Sequence, residues 1–585
     1  MNKSLLDRAR GEKPSGLVLK NARILDVFQE KIQKGDLALE GERIVGWGNY
    51  RGDIEVDLAG SYVVPALIDP HLHIESSQVS VSRFAREVTA RGILTVVTDP
   101  HEIANVAGRA GIEYFLARGR DMPWNFHLML PSCVPAAFCE ESGAVLNAEE
   151  LASLMQEKNV LGLGEVMDYP AVIEGDEQIW QKIRLFEDRF IDGHAPEVGG
   201  EDLNAYLMAG IRADHECTTP EEAEEKASRG MHIMIREGSV TRDLENLLPV
   251  VNGGNAGRFM FATDDRQPED IIDEGHLDHA VQKAISLGMK PARAFRLATH
   301  NPACALGLND LGAIAPNFRA DLLLLSSLEN ATPEAVIKDG KFLFGGENFK
   351  EKVPEMEADF TRSLEIEDGR LGDKIQQRVF NSVNCKPVDV NDFSLPAGKT
   401  YRLIELRDEQ VITGASRINA GKYETSREML REERAARLAA VERHRASGRI
   451  GLGLVRGFGL KHGALATTVS HDSHNIIVLG ENAEDMAAAV DIIMDIQGGM
   501  VVVSEGEILA ELALPIAGLM SECSMAETAE AAEDLRKAAE RLGIRHSRPF
   551  MQLSFLSLPV IPRLKLTVKG LFDVEKFEHV PLVVK

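Results

Sequence analysis

No C-x-x-C pair occurs among the six cysteines, which stand at 133, 139, 217, 304, 385 and 523. Scatter of that kind argues against a disulfide framework and for reduced thiols in a cytoplasm. Positive charge is also short, with 65 Lys and Arg against 91 Asp and Glu and a formal net charge of −26. Binding to nucleic acid or to an anionic membrane is therefore not expected as a main task. No apolar run approaches the length of a membrane-spanning helix. The opening stretch MNKSLLDRARGEKPSG lacks the apolar core of a signal peptide, which again points to the cytoplasm. A dinucleotide loop is missing too. In GRIGLGLVRGFG, Gly451-Leu452-Gly453 is followed by glycine only at 457, which departs from G-x-G-x-x-G.

What is present is ordinary folded material, 44% hydrophobic and 27% charged. At 585 residues the chain is too long for one core, so two to four domains are expected. Residues 17–65 and 312–348 share a texture of short alternating strands and tight turns. A small β domain split by a large insertion accounts for both. The stretch between them alternates apolar runs with helix-forming segments such as SRFAREVTARG and TPEEAEEKASRG. Repeated βα units predict a (β/α)8 barrel, with chemistry on the loops after the strands. The expected strand ends are Ile68, Val97-Thr98, Met129, Gly164, Asp192, Asp214, Ile235 and Ala262. The layout is then 1–65 plus 307–360 for the split β-sandwich, 66–306 for the barrel, 361–400 for a linker, and 401–585 for a C-terminal α+β domain. In that last part REMLREERAARLAAVERHR reads as a charged helix or solvated surface segment.

The barrel is organised around PALIDPHLHIESS. His71 and His73 are two residues apart, so on a strand they face the same way and can share one cation. Glu75 either supports them or faces solvent. Further acids and imidazoles follow the later strands: Asp99, His101 and Glu102; Glu165; His194; His215 and Glu216; Arg236 and Glu237; Asp264 and Asp265. A lone histidine would be a satisfied core residue, but one such group after nearly every strand predicts a metal centre. His71, His73 and Asp264 make one site, His194 and His215 a second, and Glu165 can bridge them. Imidazole with carboxylate suits zinc, iron or manganese. Two such ions can activate a shared water, with Asp264 passing its proton to a leaving group. His462, His471 and His474 form either a second polar cluster or a set of turn and surface histidines.

The strand-end series and the split β module resemble the amidohydrolase superfamily. TDPHEIANVAG, GLGEVMDYPAVI, DGHAPEVGGEDLNAYLMAGIRADHECT, MIREGSVTRDL and FATDDRQPEDIIDEGHLDHAV further resemble its adenine deaminase family, as do VRGFGLKHGALATTVSHDSHNIIVLG and LPIAGLMSE. The resemblance implies a cytoplasmic purine-salvage enzyme that converts adenine and water to hypoxanthine and ammonia, with a metal-activated hydroxide attacking C6. It implies two divalent ions, manganese or iron before zinc, and a homo-oligomer, for which a homodimer is the expectation. Many binuclear members of the superfamily bridge their metals with a lysine where this chain has Glu165. Asp264 would carry a proton to the amine, and Glu102 or Glu216 would protonate N1. Asp99, His101 and Glu102 would hold the purine edge. Two other readings stay open. One is hydrolysis of a cyclic amide, as in dihydropyrimidinase-like and dihydroorotase-like members, with Arg236 as a carboxylate clamp. The other is a non-catalytic metal-binding scaffold.

Overall fold

The structure is a computed structural model describing residues 3–136, 139–345, 371–407 and 412–584. Eight parallel strands form the barrel: β1 (Leu67–Leu72), β2 (Ile93–Thr98), β3 (Asn125–Leu130), β4 (Val160–Val166), β5 (Phe190–Gly193), β6 (Ala213–Asp214), β7 (His232–Arg236) and β8 (Phe259–Ala262). β1 to β5 pair in sequence order, and so do β6 to β8. A parallel bridge between Leu72 and Asp264 brings the two ends of the barrel together. Every residue of β1, β2 and β8 is buried, as expected for parallel strands covered on both faces. Helices between the strands supply the outer layer. In Val81–Ala90 the apolar face carries Val81, Phe84, Ala85 and Val88 onto the barrel. β1 runs past the expected end at Ile68, to Leu72, because Asp69-Pro70-His71 keeps the extended backbone and His71 lies within the strand.

The split β module is one eight-stranded sheet. Tyr62–Pro65 lies between Ser15–Asp26, to which it is parallel, and Leu322–Leu325, to which it is antiparallel. The expected linker is only partly visible, since 346–370 lie outside the described residues. From 371 onward it packs: Asp373–Phe380 is a helix with Val379 fully buried, and Phe393 is fully buried in the C-terminal core.

The C-terminal part is an eight-stranded sheet with helix Ala483–Asp495 on one face and helix Met525–Arg541 on the other. The second helix starts at a capping box in which Ser524 and Glu527 satisfy each other's backbone N–H groups. REMLREERAARLAAVERHR corrects the reading from sequence. Only Ser426–Glu432 is helical, and Ala435–Val441 is a buried strand between Ile450–Arg456 and Ile476–Gly480. The charges flanking AARLAAV mask a seven-residue core strand. The glycines of Ile450–Arg456 also find a structural explanation. A Cβ on Gly451 would lie 2.0 Å from the carbonyl oxygen of Thr567, so glycine lets the hairpin Leu564–Asp573 lie across this strand.

Candidate metal centre

His71 and His73 leave the end of β1 with their Nε2 atoms aimed at one point, 3.5 and 3.3 Å from Asp264 Oδ1. Each ring is fixed from behind. His71 Nδ1 donates to Asp192 Oδ2 at 2.8 Å, and His73 Nδ1 donates to the carbonyl oxygen of Asp99 at 2.9 Å. A donated proton on Nδ1 leaves the Nε2 lone pair facing inward, the arrangement that carboxylate- and carbonyl-backed metal histidines adopt. His71 Nε2 is buried with no hydrogen-bond partner among the described residues, an orphan that a cation would satisfy.

Glu165, at the end of β4, faces both halves of the site. Its Oε1 lies 3.4 Å from His73 Nε2; its Oε2 lies 2.6 Å from His194 Nδ1 and 3.4 Å from His215 Nε2. Burial alone would push its carboxyl pKa up, but His194, His215 and His73 outweigh it and hold Glu165 ionised. Gly164 makes room beneath it. A Cβ there would meet Asp99 Oδ2 at 2.0 Å, the oxygen that accepts the Glu165 backbone N–H at 3.0 Å. Asp264 follows β8 with a left-handed backbone, φ 57°, unusual outside glycine and concentrated at functional sites. Its N–H donates to the His71 carbonyl at 3.1 Å. Burial raises its pKa, but His71 and His73, then Arg236, more than reverse this.

These six residues, His71, His73, Glu165, His194, His215 and Asp264, converge as the sequence led us to expect. They could hold two cations, one between His71, His73 and Asp264 and one between His194 and His215, with a Glu165 oxygen turned to each. Four imidazoles and two carboxylates suit a borderline divalent ion.

The other named residues sort differently. Asp99, expected at the purine edge, spends one carboxylate oxygen beneath Glu165. His101 does face the centre, with its unpartnered Nδ1 3.4 Å from Glu165 Oε1. Glu216 and Arg236 form an ion pair, and Arg236 also reaches Asp243 and Asp264, both at 3.2 Å. Arg236 is thus saturated by protein carboxylates, which removes the clamp that a cyclic-amide substrate with a carboxylate would need. Burial raises the Glu216 pKa, but Arg236, His194 and His215 overcome that and keep it a carboxylate. Glu75 is buried, not solvent-facing. It accepts the Ile103 N–H at 3.1 Å, and burial with nearby Glu102 pushes its pKa up to about 8.

Glu102 is met by two histidines from the far end of the chain, His471 Nδ1 at 2.7 Å and His474 Nε2 at 3.4 Å. His462 is not with them; it sits at the surface beside Ser504. Asp192, His471 and His474 are the functional neighbours that sequence reasoning did not assign. Asp192 carried a signal, an acid at a strand end, but it had been read only as a strand boundary.

Comparison with known proteins agrees with this geometry. The family model for the amidohydrolase family matches residues 62–343, and that for the adenine deaminase C-terminal domain matches residues 410–578. An adenine deaminase of Petrotoga mobilis is 50% identical over 588 aligned residues, covering 100% of both chains. Adenine deaminase 2 of Carboxydothermus hydrogenoformans is 45% identical with 99% of each chain covered, and an adenine deaminase of Clostridium acetobutylicum is 43% identical with 98% of each covered. At such identity over its whole length, the chain belongs to the adenine deaminase family of the amidohydrolases.

Proposed function

We propose that this protein hydrolyses adenine to hypoxanthine and ammonia in a cytoplasmic purine-salvage role. The observation that carries the reading is Glu165, which offers one oxygen to each of two inward-facing histidine pairs beside Asp264, in a chain alike throughout to proteins named adenine deaminase. Its substrate is a small molecule. Among the described residues no helix is long and apolar enough to cross a membrane, and the acidic balance disfavours nucleic acid.

In this reading His71, His73 and Asp264 would hold one divalent ion, His194 and His215 would hold another, and Glu165 would serve both. Manganese or iron is favoured and zinc is the third option. Bound ions supply water activated near neutral pH at the carbon to be attacked. The residues do the rest. Asp264, kept ionised by His71, His73 and Arg236, takes the water's proton and delivers it to the exocyclic nitrogen, so that C6–N6 breaks with ammonia leaving. Glu102 partners the ring nitrogen N1, and His101 lines the same wall. Glu216 is the weaker choice for N1 because it is already ion-paired with Arg236. We assign 66–306 to the barrel, 1–65 with 307–360 to the split β domain, and 401–585 to the C-terminal domain, and take the assembly to be a homodimer.

The test is ammonia release by metal-loaded protein from purines, pyrimidines and cyclic amides. Adenine should be the preferred substrate; preference for a cyclic amide would overturn the reading. A second expectation concerns Glu102→Gln. It keeps both metals, since Glu102 contacts none of the six ligands proposed here, yet it slows adenine turnover by about a hundredfold, the lower end of what a lost acid–base group costs. Metal loss on this substitution would make Glu102 a support of the metal site instead.

A further inference from the structure

Protonation of N1 needs a donor, and neither carboxylate available for it is an acid at rest. Glu216 is locked to Arg236, and Glu102 has its two oxygens turned to His471 and His474. The question is where the proton comes from.

The two histidines differ in a way fixed by their hydrogen bonds. His474 Nδ1 accepts the Ser470 backbone N–H at 3.2 Å, so its proton sits on Nε2, which lies 3.4 Å from Glu102 Oε2 without a formed hydrogen bond. His474 is therefore neutral; burial lowers its pKa to about 3. That tautomer also excludes a cation between Glu102, His471 and His474, because Nε2 has no lone pair to offer. His471 is different. Its ring stacks on Phe555 with centroids 5.1 Å apart and planes 15° apart, and its Nδ1 meets Glu102 Oε1 at 2.7 Å, a charge-assisted contact. Burial lowers its pKa, but Glu102 more than offsets this and pushes it up to about 10.

The loop bearing both rings is held rigidly. The His471 N–H donates to Ser554 Oγ and its carbonyl accepts from Ser557 Oγ, each at 3.2 Å. The fully buried Arg443 donates to the carbonyls of His474 and Ala517 and to Ser382 Oγ. Asn475 Nδ2 reaches over to the carbonyl of Glu141 on the barrel at 2.8 Å. Other titratable groups facing the pair are Glu75, His101 and Asp265 from the barrel, and Asp472 beside His471.

We propose that His471, a residue of the C-terminal domain, is the store of the proton that N1 gains, passed on through Glu102. This rests on the adenine reading above. The proton on His471 Nδ1 moves to Glu102 and from there to N1, and the C6–N1 double bond becomes single as the water oxygen bonds to C6. One water proton travels by Asp264 to the leaving amine. The other, left on the C6 hydroxyl, returns to the Glu102–His471 pair as C6=O forms and C6–N6 breaks. The products are hypoxanthine and ammonia, and the pair is restored. His471 acts through Glu102 and is a positioning and proton-storing residue; Glu102 is the group that meets the substrate.

His471→Gln separates storage from orientation, because an amide can donate a hydrogen bond to Glu102 but cannot supply a proton. The expected variant keeps two metals and binds hypoxanthine within threefold of wild type by equilibrium dialysis. Its kcat on adenine falls about a hundredfold at pH 8, the scale of a lost acid. Between pH 8 and 5.5 that deficit narrows, because Glu102 must now be protonated from solvent. Wild-type kcat in the glutamine variant, or an equal loss at every pH, would overturn the proposal, and so would loss of metal. A readout without turnover keeps it apart from the adenine reading. In protein labelled with [15N]histidine, one imidazolium should persist at pH 9 and vanish in His471→Gln. Its absence from the wild type would sink the proton store even if adenine is deaminated; its presence in a protein inert to adenine would sink the substrate reading alone.

Discussion

Asp264→Asn lowers kcat for adenine at least about a hundredfold while leaving the fold intact, a loss of about 3 kcal/mol of transition-state stabilisation. The size of the effect follows from how many jobs the carboxylate has. Its Oδ1 faces His71 and His73, and its Oδ2 lies 3.2 Å from Arg236. Asparagine keeps the shape and the ability to accept, but it cannot take a proton from water and give it to an amine. It also leaves Arg236 with one charge partner fewer in a buried site. Metal content must be measured in the same sample, because one ligand bond weakens as well. A near-normal rate with both metals bound would place the shuttle elsewhere, with Glu216 the next carboxylate to test.

Removal of metal has the other large effect. Chelation should abolish ammonia release, and titration of the stripped protein with manganese should restore it only near two equivalents. The expectation comes from Glu165. A carboxylate with one oxygen toward His73 and the other toward His194 and His215 could serve two ions in the place where other members use a modified lysine. Stripped of metal, the six candidate ligand side chains, five buried and His194 partly buried, would be left with each other, held by imidazole–carboxylate contacts. Full activity at one equivalent would refute the binuclear assignment.

Much of this centre could be read from sequence because a parallel barrel places its chemistry at one kind of position, the residue just after a strand. His71 and Glu165 lie one residue before the ends of β1 and β4, and His73, His194, His215 and Asp264 lie within two residues after a strand, so locating the strands located the candidate ligands. What was not legible were partnerships. Arg236 has the spacing of a substrate clamp, and nothing local says that Glu216, Asp243 and Asp264 already surround it. Asp99 has the position of a substrate contact but turns beneath Glu165. The pairing of Glu102 with His471 joins residues of separate domains, and no periodicity in either segment encodes it. The error at Ala435–Val441 has a different origin: charged neighbours dominated the reading of a strand whose burial is decided by the sheet around it.

The split β sheet sets the order in which the molecule can be completed. Strand Tyr62–Pro65 has one neighbour, Ser15–Asp26, that leaves the ribosome before it, and another, Leu322–Leu325, that follows only after the whole barrel has been made. Until then Tyr62–Pro65 carries an unpaired edge, and it leads directly into β1 and the first two candidate metal ligands. Such long-range closure slows folding and exposes a strand to wrong partners. During synthesis, the segment that starts the active site is therefore among the last to be sealed.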